Sequence, residues 1–537
     1  MRNTGGLRAA ALAAALLAGA IGPAVAGSID APSKADGSTP LQWAVFNGDV
    51  AEARRLLKEG ADVTANNHYG VNAMQLAADT ANTELIALLL KAGADPSSPN
   101  ADGETALHMV ARSGNVDAAR LLIKAGAKVD AVENFGGQTP LMWAAARRHP
   151  EMMELLISKG ADINARGAIR DYQRVATAES RAATRDRGGL TPLMYAARGN
   201  CRECVELLLK HKVDVNLADP TDVVPLSIAM MNSNWDIARR LVEAGADVNQ
   251  WDINGNSPLA VAIGNMQTAG NRNPLDQDHP NKASGLDLVK LLLERGANPN
   301  QQLYHGTGGL SADRGMTPFL SATGTGNIEL VKLLLAHGAN PKLATSDGRG
   351  AIIMAVNARG GRGGGFGRGG GAPPGAPGAD AEAPAAPEGA EAPRAGGAAA
   401  PRANPQVQLI QLLADAGADP KLVARIHLLA RTRGGSALHY AVRAGGNRQV
   451  MQQLLDLGVD INVKDEDGLT ALDYAMGRGY VPFLQMPEPP NKPVVDFLRS
   501  KGATVELAKT PDWPPVSPPI ATAVYDSFIW PVDPVGP

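Results

Sequence analysis

Short apolar segments with helical spacing recur along the chain, and glycine and polar residues separate each from the next. Between Asn115 and Gly126, for example, Ala118, Leu121 and Leu122 fall on one helix face. A second apolar segment precedes this one across a break of three polar or small residues. The pattern predicts pairs of short helices, and it predicts a left-handed glycine at the end of the second helix of each pair.

The start of each pair is marked by Thr or Ser followed by Pro or Ala. Thr and Ser cap helix N-termini, and proline is tolerated at the first helical position because its missing N–H is not needed there. Neighbouring starts are 33 or 34 residues apart except at three places, where extra residues lengthen the interval. The eleven predicted starts are Pro40, Ala73, Ala106, Pro140, Pro192, Pro225, Pro258, Pro318, Ala351, Ala437 and Ala471.

Turn-forming dipeptides lie between one pair and the next. They supply the positive φ that a tight turn needs, so we expect a projecting finger at each of them. These dipeptides are Asp36-Gly37, Asp102-Gly103, Asn254-Gly255, Asp347-Gly348 and Asp467-Gly468.

The unit resembles the ankyrin repeat, whose hallmark is Thr-Pro-Leu-His-x-Ala. Copies here are Thr105-Ala106-Leu107-His108, Thr139-Pro140-Leu141-Met142-Trp143-Ala144, Thr191-Pro192-Leu193-Met194-Tyr195-Ala196 and Ser436-Ala437-Leu438-His439-Tyr440-Ala441. The resemblance covers about residues 36–506. It implies an all-α solenoid of about eleven helix-turn-helix repeats with short β-hairpin fingers. Each repeat must stack on its neighbours, because one short helix pair cannot bury its own apolar face.

The first 26 residues have the pattern of a secretory signal peptide. Arg2 and Arg8 precede an apolar run that is too short to span a bilayer, and Ala24-Val25-Ala26 supplies a small-residue cleavage site. We therefore expect a mature chain beginning at Gly27, located in the periplasm or secreted, with no membrane span after cleavage.

The remaining sequence divides by composition. Repeats one to nine, the ninth only through its first helix, occupy 36–357, with insertions near 167–187, 266–284 and 302–313. A Gly, Ala, Pro and Arg-rich insertion at 358–404 is predicted to be disordered. The rest of repeat nine and repeats ten and eleven occupy 405–506. A Pro-rich tail, 507–537, carries aromatic residues that are scarce elsewhere in the chain, and it is expected either to cap the last repeat or to dock a partner.

Cys201 and Cys204 are the only cysteines, three residues apart at the start of a second helix. A local disulfide is one interpretation, since an exported protein sits where disulfides persist. Plain packing thiols are the second interpretation, because Cys204 occupies an apolar core position of the repeat. A redox function is the third, though the βαβ context of thioredoxin-like proteins is missing.

Other chemistry is not indicated by the sequence. His108 and His439 occupy the histidine position of the resembling repeat, which implies a structural role. The recurrent Asp residues follow the repeat, and no phosphate loop or zinc-protease motif stands out. We expect no enzymatic activity, no metal and no cofactor. Nucleic acid is excluded as a partner, because the net charge of −3 comes with no strong basic block.

The resemblance implies that the chain, expected to be a monomer, binds a protein partner of unknown identity through its fingers and first helices. The candidate contact residues are Trp43, Phe46, His68, Tyr69, Phe135, Trp143, Arg147, Tyr195, Trp251 and Tyr440. Trp143, Tyr195 and Tyr440 share one repeat position, so they could instead pad the stack. Alternative functions are a redox or disulfide-linked role through the two cysteines and a secreted effector that binds host proteins.

Overall fold

The computed structural model describes residues 29–33, 35–169, 188–266, 281–304, 314–358, 404–425, 435–466, 468–477 and 490–504. The expected signal peptide, the tail at 507–537 and most of each expected insertion lie outside the described residues. The described residues form two compact units, 1–301 and 302–537, with the division between Gln301 and Gln302.

The described residues form eleven helix pairs. The first helices are α1 (Pro40–Phe46), α3 (Ala73–Asp79), α5 (Ala106–Ser113), α7 (Pro140–Ala146), α9 (Pro192–Arg198), α11 (Pro225–Met231), α13 (Pro258–Asn265), α15 (Pro318–Thr325), α17 (Ala351–Val356), α19 (Ala437–Arg443) and α21 (Ala471–Ala475). All eleven begin at the predicted residue. The fold is all-α, as the sequence predicted.

The second helices follow each first helix after a short break. They are α2 (Val50–Lys58), α4 (Thr83–Lys91), α6 (Val116–Lys124), α8 (Pro150–Ser158), α10 (Arg202–Lys210), α12 (Trp235–Glu243), α14 (Gly285–Glu294), α16 (Ile328–Ala336), α18 (Pro405–Asp415), α20 (Arg448–Asp456) and α22 (Lys492–Ser500). The unit of residues 1–301 holds the first seven pairs, and the unit of residues 302–537 holds the last four.

Local signals set the helix starts. The Thr139 side chain accepts a hydrogen bond from the backbone N–H of Met142 at 3.4 Å, and Pro140 is the first helical residue. Thr191 and Pro192 repeat this arrangement one repeat later. These caps satisfy backbone donors that a helix leaves without an intrahelical partner.

The core of each unit lies between stacked helices. First helices pack on first helices, as α5 does on α3 and α7, and most second helices pack on the second helix of the next repeat. Leucine at the second position and alanine at the sixth position of the first helices fill the interface. Fully buried examples are Leu107, Leu141, Leu193, Ala111, Ala145 and Ala197.

The fingers are mostly tight turns. Among the described residues one antiparallel pair of two-residue strands occurs, β1 (Val423–Ala424) with β2 (Gly435–Ser436), beside isolated bridges such as Asn66 with Asn72. The fingers are therefore short, as the sequence predicted, because a tight turn leaves few residues to pair.

Backbone hydrogen bonds join neighbouring fingers. The N–H of His68 donates to the carbonyl of Asp36 at 2.9 Å, and the N–H of Asn134 donates to the carbonyl of Asp102 at 2.7 Å. These fingers are therefore each held by the finger before them, which fixes their position relative to one another.

Histidine ties the first helix to the next finger in two repeats. Nδ1 of His108 accepts from the backbone N–H of Thr105 at 3.1 Å, and Nε2 lies 3.0 Å from the carbonyl oxygen of Gln138 in the following finger. His439 makes the same two contacts with Ser436 and Leu469. This confirms the structural role that the resemblance implied. Burial lowers the pKa of both imidazoles below 6.5.

Repeat five ends its second helix differently from its neighbours. After α12 the chain turns at Gly245 with φ +95°, whereas after α10 the equivalent turn is made by Lys212 with φ +61°. A residue with a Cβ is strained in this left-handed conformation, and glycine is not. Lys212 therefore costs stability in repeat five.

We expect Lys212→Gly to raise the free energy of unfolding by about 1 kcal/mol, because glycine adopts positive φ without strain. Lys212→Ala keeps the strain and should change little. Gly245→Ala should lower stability by about as much, since a Cβ there meets no atom within 4 Å and the backbone alone sets the cost. Urea unfolding measures all three, and a stabilising Lys212→Ala would refute the backbone explanation.

The buried histidines predict acid sensitivity. Their folded pKa lies below the unfolded value of 6.5, so the unfolded chain binds more protons as the pH falls through 6.5. The stability that the two neutral imidazoles contribute is therefore fully present above pH 6.5, and the free energy of unfolding declines as the pH falls below it. Glutamine already fills the same position in repeat one, where Gln42 Nε2 donates to the Ala65 carbonyl at 2.8 Å. The double variant His108→Gln, His439→Gln should lose less melting temperature between pH 7 and pH 5 than the parent.

His68→Gln is the matched control for this experiment. His68 is exposed at a fingertip, so its replacement should leave the pH dependence of melting unchanged. Equal acid sensitivity of the parent and the double variant would rule out the buried imidazoles as its source.

Candidate functional site

The first helices and the fingers of each unit present a surface that we call the inner face. We define it by the side chains three, six and seven residues after the start of each first helix, together with the fingertips. Phe46, Arg147 and Arg198 are exposed on the first helices of this face. The core positions between them are buried, so the side chains of the inner face stand on a rigid backbone.

An arginine, an aromatic ring and a carboxylate meet on the inner face of repeats two to four. The guanidinium carbon of Arg112 lies 5.6 Å from the centre of the Trp143 indole ring. The same guanidinium forms an ion pair with Asp79 of the preceding repeat. His108 packs against Trp143 edge to face at 5.4 Å. The cation therefore contacts a ring face and a carboxylate at once.

A second arginine is stacked in repeat five. The guanidinium carbon of Arg198 lies 4.9 Å from the centre of the Tyr195 ring, one helical turn earlier on α9. The hydroxyl of Tyr195 accepts a hydrogen bond from Nε2 of Gln138 at 2.7 Å. Tyr195 is only 7% exposed, so its ring is fixed by burial and by this hydrogen bond.

Repeat ten repeats the arrangement in the second unit. Arg443 lies 5.3 Å from the centre of the Tyr440 ring and 5.8 Å from that of Tyr474 in the next repeat. Burial raises the pKa of Tyr440, and Arg443 opposes that rise. Tyr440 is therefore a neutral ring under an exposed cation at neutral pH.

Apolar side chains stand exposed on the fingertips. Phe135 is 73% exposed and Ile169, on the next finger, is 60% exposed. The N–H of Ala168 donates to the carbonyl of Gly136 at 2.7 Å, which fixes the two fingers side by side. Tyr69 and Trp251 are exposed on other fingers of the same unit.

The structure places the predicted contact residues at three levels of burial. Phe46, His68, Tyr69, Phe135, Arg147 and Trp251 are exposed, Trp43 and Trp143 are half-buried, and Tyr195 and Tyr440 are buried. The burial of the two tyrosines favours the padding interpretation for them. Of the predicted contact residues, the structure brings Trp43 and Phe46 together, with their rings edge to face at 6.0 Å. Sequence reasoning missed Arg112, Arg198 and Arg443, although their spacing after the helix start could have indicated them.

Cys201 and Cys204 are joined by a disulfide in the structure, and both are buried. Sγ of Cys201 accepts from the backbone N–H of Cys204 at 3.2 Å, in the capping position that Asn115 fills two repeats earlier. The disulfide therefore lies inside the helix stack, away from the exposed side chains of the inner face.

Two kinds of feature, a metal-binding cluster and a membrane-spanning helix, are absent from the described ranges. These ranges contain no group of three or more His, Cys, Asp or Glu side chains that could hold a metal ion. Within the same ranges, no helix has the length and apolar character needed to cross a membrane.

Family models for ankyrin repeats match much of the chain. One described as "Ankyrin repeats (3 copies)" matches residues 11–100, 76–167 and 281–362, and one described as "Ankyrin repeats (many copies)" matches 410–475. A single "Ankyrin repeat" model matches 188–220 and 223–253. Together these matches cover more than half of the sequence.

Several curated proteins are similar in sequence to part of this chain. The mouse B-cell lymphoma 3 protein homolog is 28% identical over 196 residues, covering 35% of this chain and 36% of that protein. Human ankyrin repeat and SOCS box protein 6 is 28% identical over 177 residues, covering 31% and 37%. Mouse protein phosphatase 1 regulatory subunit 27 is 39% identical over 70 residues, covering 13% and 46%. The chain thus spans less than half the length of these relatives.

Among solved structures, the ankyrin repeat domain of Bcl-3 is 25% identical, with a TM-score of 0.37, and the match covers 49% of this chain and all of that one. Ankyrin repeats generally mediate protein–protein interactions, typically as scaffolds without enzymatic activity. The family-model matches and the eleven helix pairs show that this chain belongs to the ankyrin repeat family.

Proposed function

We propose that this protein is a non-enzymatic scaffold that binds a protein partner on the inner face of its repeats. The observation that carries the proposal is the pair of exposed apolar side chains, Phe135 and Ile169, on adjacent fingers. Exposed aromatic and aliphatic side chains that lie together on a rigid surface are typical of binding sites, because covering them removes apolar area from water.

The rigidity of the fingers supports a binding role. The bond between Ala168 and Gly136, and its equivalents elsewhere, hold the fingers that they join before any partner arrives. A preorganised surface loses little conformational entropy on binding, so more of the contact energy appears as affinity.

The hydrogen bonding of the histidines supports a role without catalysis. Both ring nitrogens of His108, and both of His439, already contact the backbone. A general base must offer a nitrogen to its substrate, and these two imidazoles have none to offer without losing a structural contact.

We propose further that the protein is exported and works in the cell envelope or outside the cell. Support comes from the signal-peptide pattern of residues 1–26 and from the buried disulfide, because disulfides persist in oxidising compartments. A buried disulfide inside the stack also favours a structural cross-link over a redox site for Cys201 and Cys204.

A photo-crosslinking amino acid at Phe135 should capture the partner. Phe135 protrudes from its finger, so a partner on the inner face must lie within reach. We expect ultraviolet illumination of cells to give a covalent adduct from position 135, identified by mass spectrometry. Position 124, an exposed lysine on the second helix α6, is the matched control.

The comparison between the two positions decides the proposal. An adduct at 135 and none at 124 supports binding by the inner face. Adducts of the same protein at 124 alone would place the partner on the second helices and contradict it.

Export predicts an oxidised cysteine pair and a processed N-terminus. In fractionated cells we expect the protein in the envelope or medium fraction, beginning at Gly27. The two cysteines should resist alkylation until a reductant and a denaturant are both present. The reductant is needed to break the disulfide, and the denaturant is needed because both cysteines are buried. Full alkylation of the denatured, unreduced protein, together with an intact residue 1, would show that it stays in a reducing compartment.

A further inference from the structure

We propose that Arg198 in the first unit and Arg443 in the second each bind a carboxylate of the partner, so that the inner face of each unit receives acidic residues. This inference rests on the proposed function and names the chemistry of its partner. In each unit an exposed guanidinium lies over a buried tyrosine ring. The arginine follows the tyrosine by three residues, as Arg198 follows Tyr195 and Arg443 follows Tyr440.

The tyrosine helps to position the arginine. The guanidinium carbon of Arg198 lies over the Tyr195 ring, 4.9 Å from its centre, so the attraction between cation and ring restricts where the arginine side chain can lie. Gln138 holds the ring in turn, through its hydrogen bond to the tyrosine hydroxyl. A guanidinium fixed in this way can donate two parallel hydrogen bonds to one carboxylate with little further loss of entropy.

The chain itself contains an example of this recognition. Arg112 is stacked on Trp143 and at the same time binds the carboxylate of Asp79. An arginine that lies six residues after a helix start and contacts an aromatic ring thus binds a carboxylate on this face. Arg198 and Arg443 occupy the same repeat position as Arg112, on the fifth and tenth repeats.

The inner face of the first unit carries basic side chains that form no ion pair within the described part of the chain. Among the described residues, Arg147, the C-cap residue of α7, and Arg198 on α9 form no ion pair, whereas Arg112 is paired with Asp79. Basic side chains without acidic neighbours attract an acidic partner and oppose a basic one.

The spacing of these arginines suggests the spacing of the acids. Helices α7 and α9 are neighbours in the stack, and packed helices lie about 10 Å apart. An extended chain advances about 3.3 Å per residue, so carboxylates three residues apart would reach Arg147 and Arg198 together. We therefore expect an extended segment that crosses the repeats, with acidic residues at every third position.

The direct test uses two fluorescein-labelled peptides of twelve residues. Both have a Gly-Ser background with one central leucine, and they differ only in carrying Glu or Lys at every third position. Fluorescence anisotropy with the full chain should show binding of the Glu peptide alone, weakening as salt rises from 50 to 300 mM. Equal binding of the two peptides would overturn the inference.

Variants then test the two arginines. The double variant Arg198→Glu, Arg443→Glu should bind the Glu peptide at least about tenfold more weakly, because an opposed charge replaces each donor. The control Lys124→Glu, Lys290→Glu makes the same change in net charge on exposed positions of second helices and should bind like the parent. All variants should keep the parent melting temperature, since the altered side chains are exposed.

The conservative double variant Arg198→Lys, Arg443→Lys separates a fixed planar contact from simple charge attraction. Lysine keeps the charge but has no planar fork, so affinity should fall several-fold. Affinity equal to that of the parent would refute the role of the stacked geometry.

Failure of this inference can be told apart from failure of the proposed function. If the cross-link from position 135 persists at full yield in the Arg198→Glu, Arg443→Glu variant, the scaffold function stands and the acidic-segment inference falls. If the parent gives no cross-link at 135, the proposed function itself falls.

Discussion

The whole structure depends on one constraint: a pair of helices of five to eleven residues each cannot bury its apolar side chains alone. Leu107, Leu141 and Leu193 become inaccessible to water only because the helices of the neighbouring repeats cover them. The free energy of unfolding of such an array is approximately the sum of the small stability of each repeat and the larger stabilising contribution of each interface between repeats. Side-chain ties such as His108 to Gln138 and backbone ties between fingers lie at these interfaces. A side chain on the inner face is therefore positioned by at least two repeats.

Features governed by neighbouring residues in the sequence could be predicted. Thr139 and Pro140 specify a helix start through a cap and a fixed φ, and the equivalent residues do so in the other repeats. The glycines of the turn dipeptides have the predicted positive φ, as at Gly103 and Gly348. The short fingers could be predicted too, since a tight turn leaves few residues to pair.

Features governed by contacts between repeats could not be predicted in the same way. Whether Tyr195 faces a partner or the stack depends on how the preceding repeat packs against α9, and that packing places Gln138 at the tyrosine hydroxyl. Their aromatic character selected Tyr195 and Tyr440 from the sequence, whereas Arg112, Arg198 and Arg443 share only a spacing of six residues from the helix start. Phe135 was predicted as a contact residue because a finger position is exposed in every repeat, whichever way the repeats are offset.

Six residues other than glycine have positive φ among the described residues, and five of them lie between repeats four and six: Arg148, Asn200, Lys212, Asp222 and Ser233. Each stores a small amount of backbone strain in the segment that carries the Cys201–Cys204 disulfide. The seven-repeat unit is thus strained near its centre rather than at its ends, where frayed repeats are usually found. Because helices of the neighbouring repeats pack on both sides of repeat five, the interfaces around it hold this strained backbone in place.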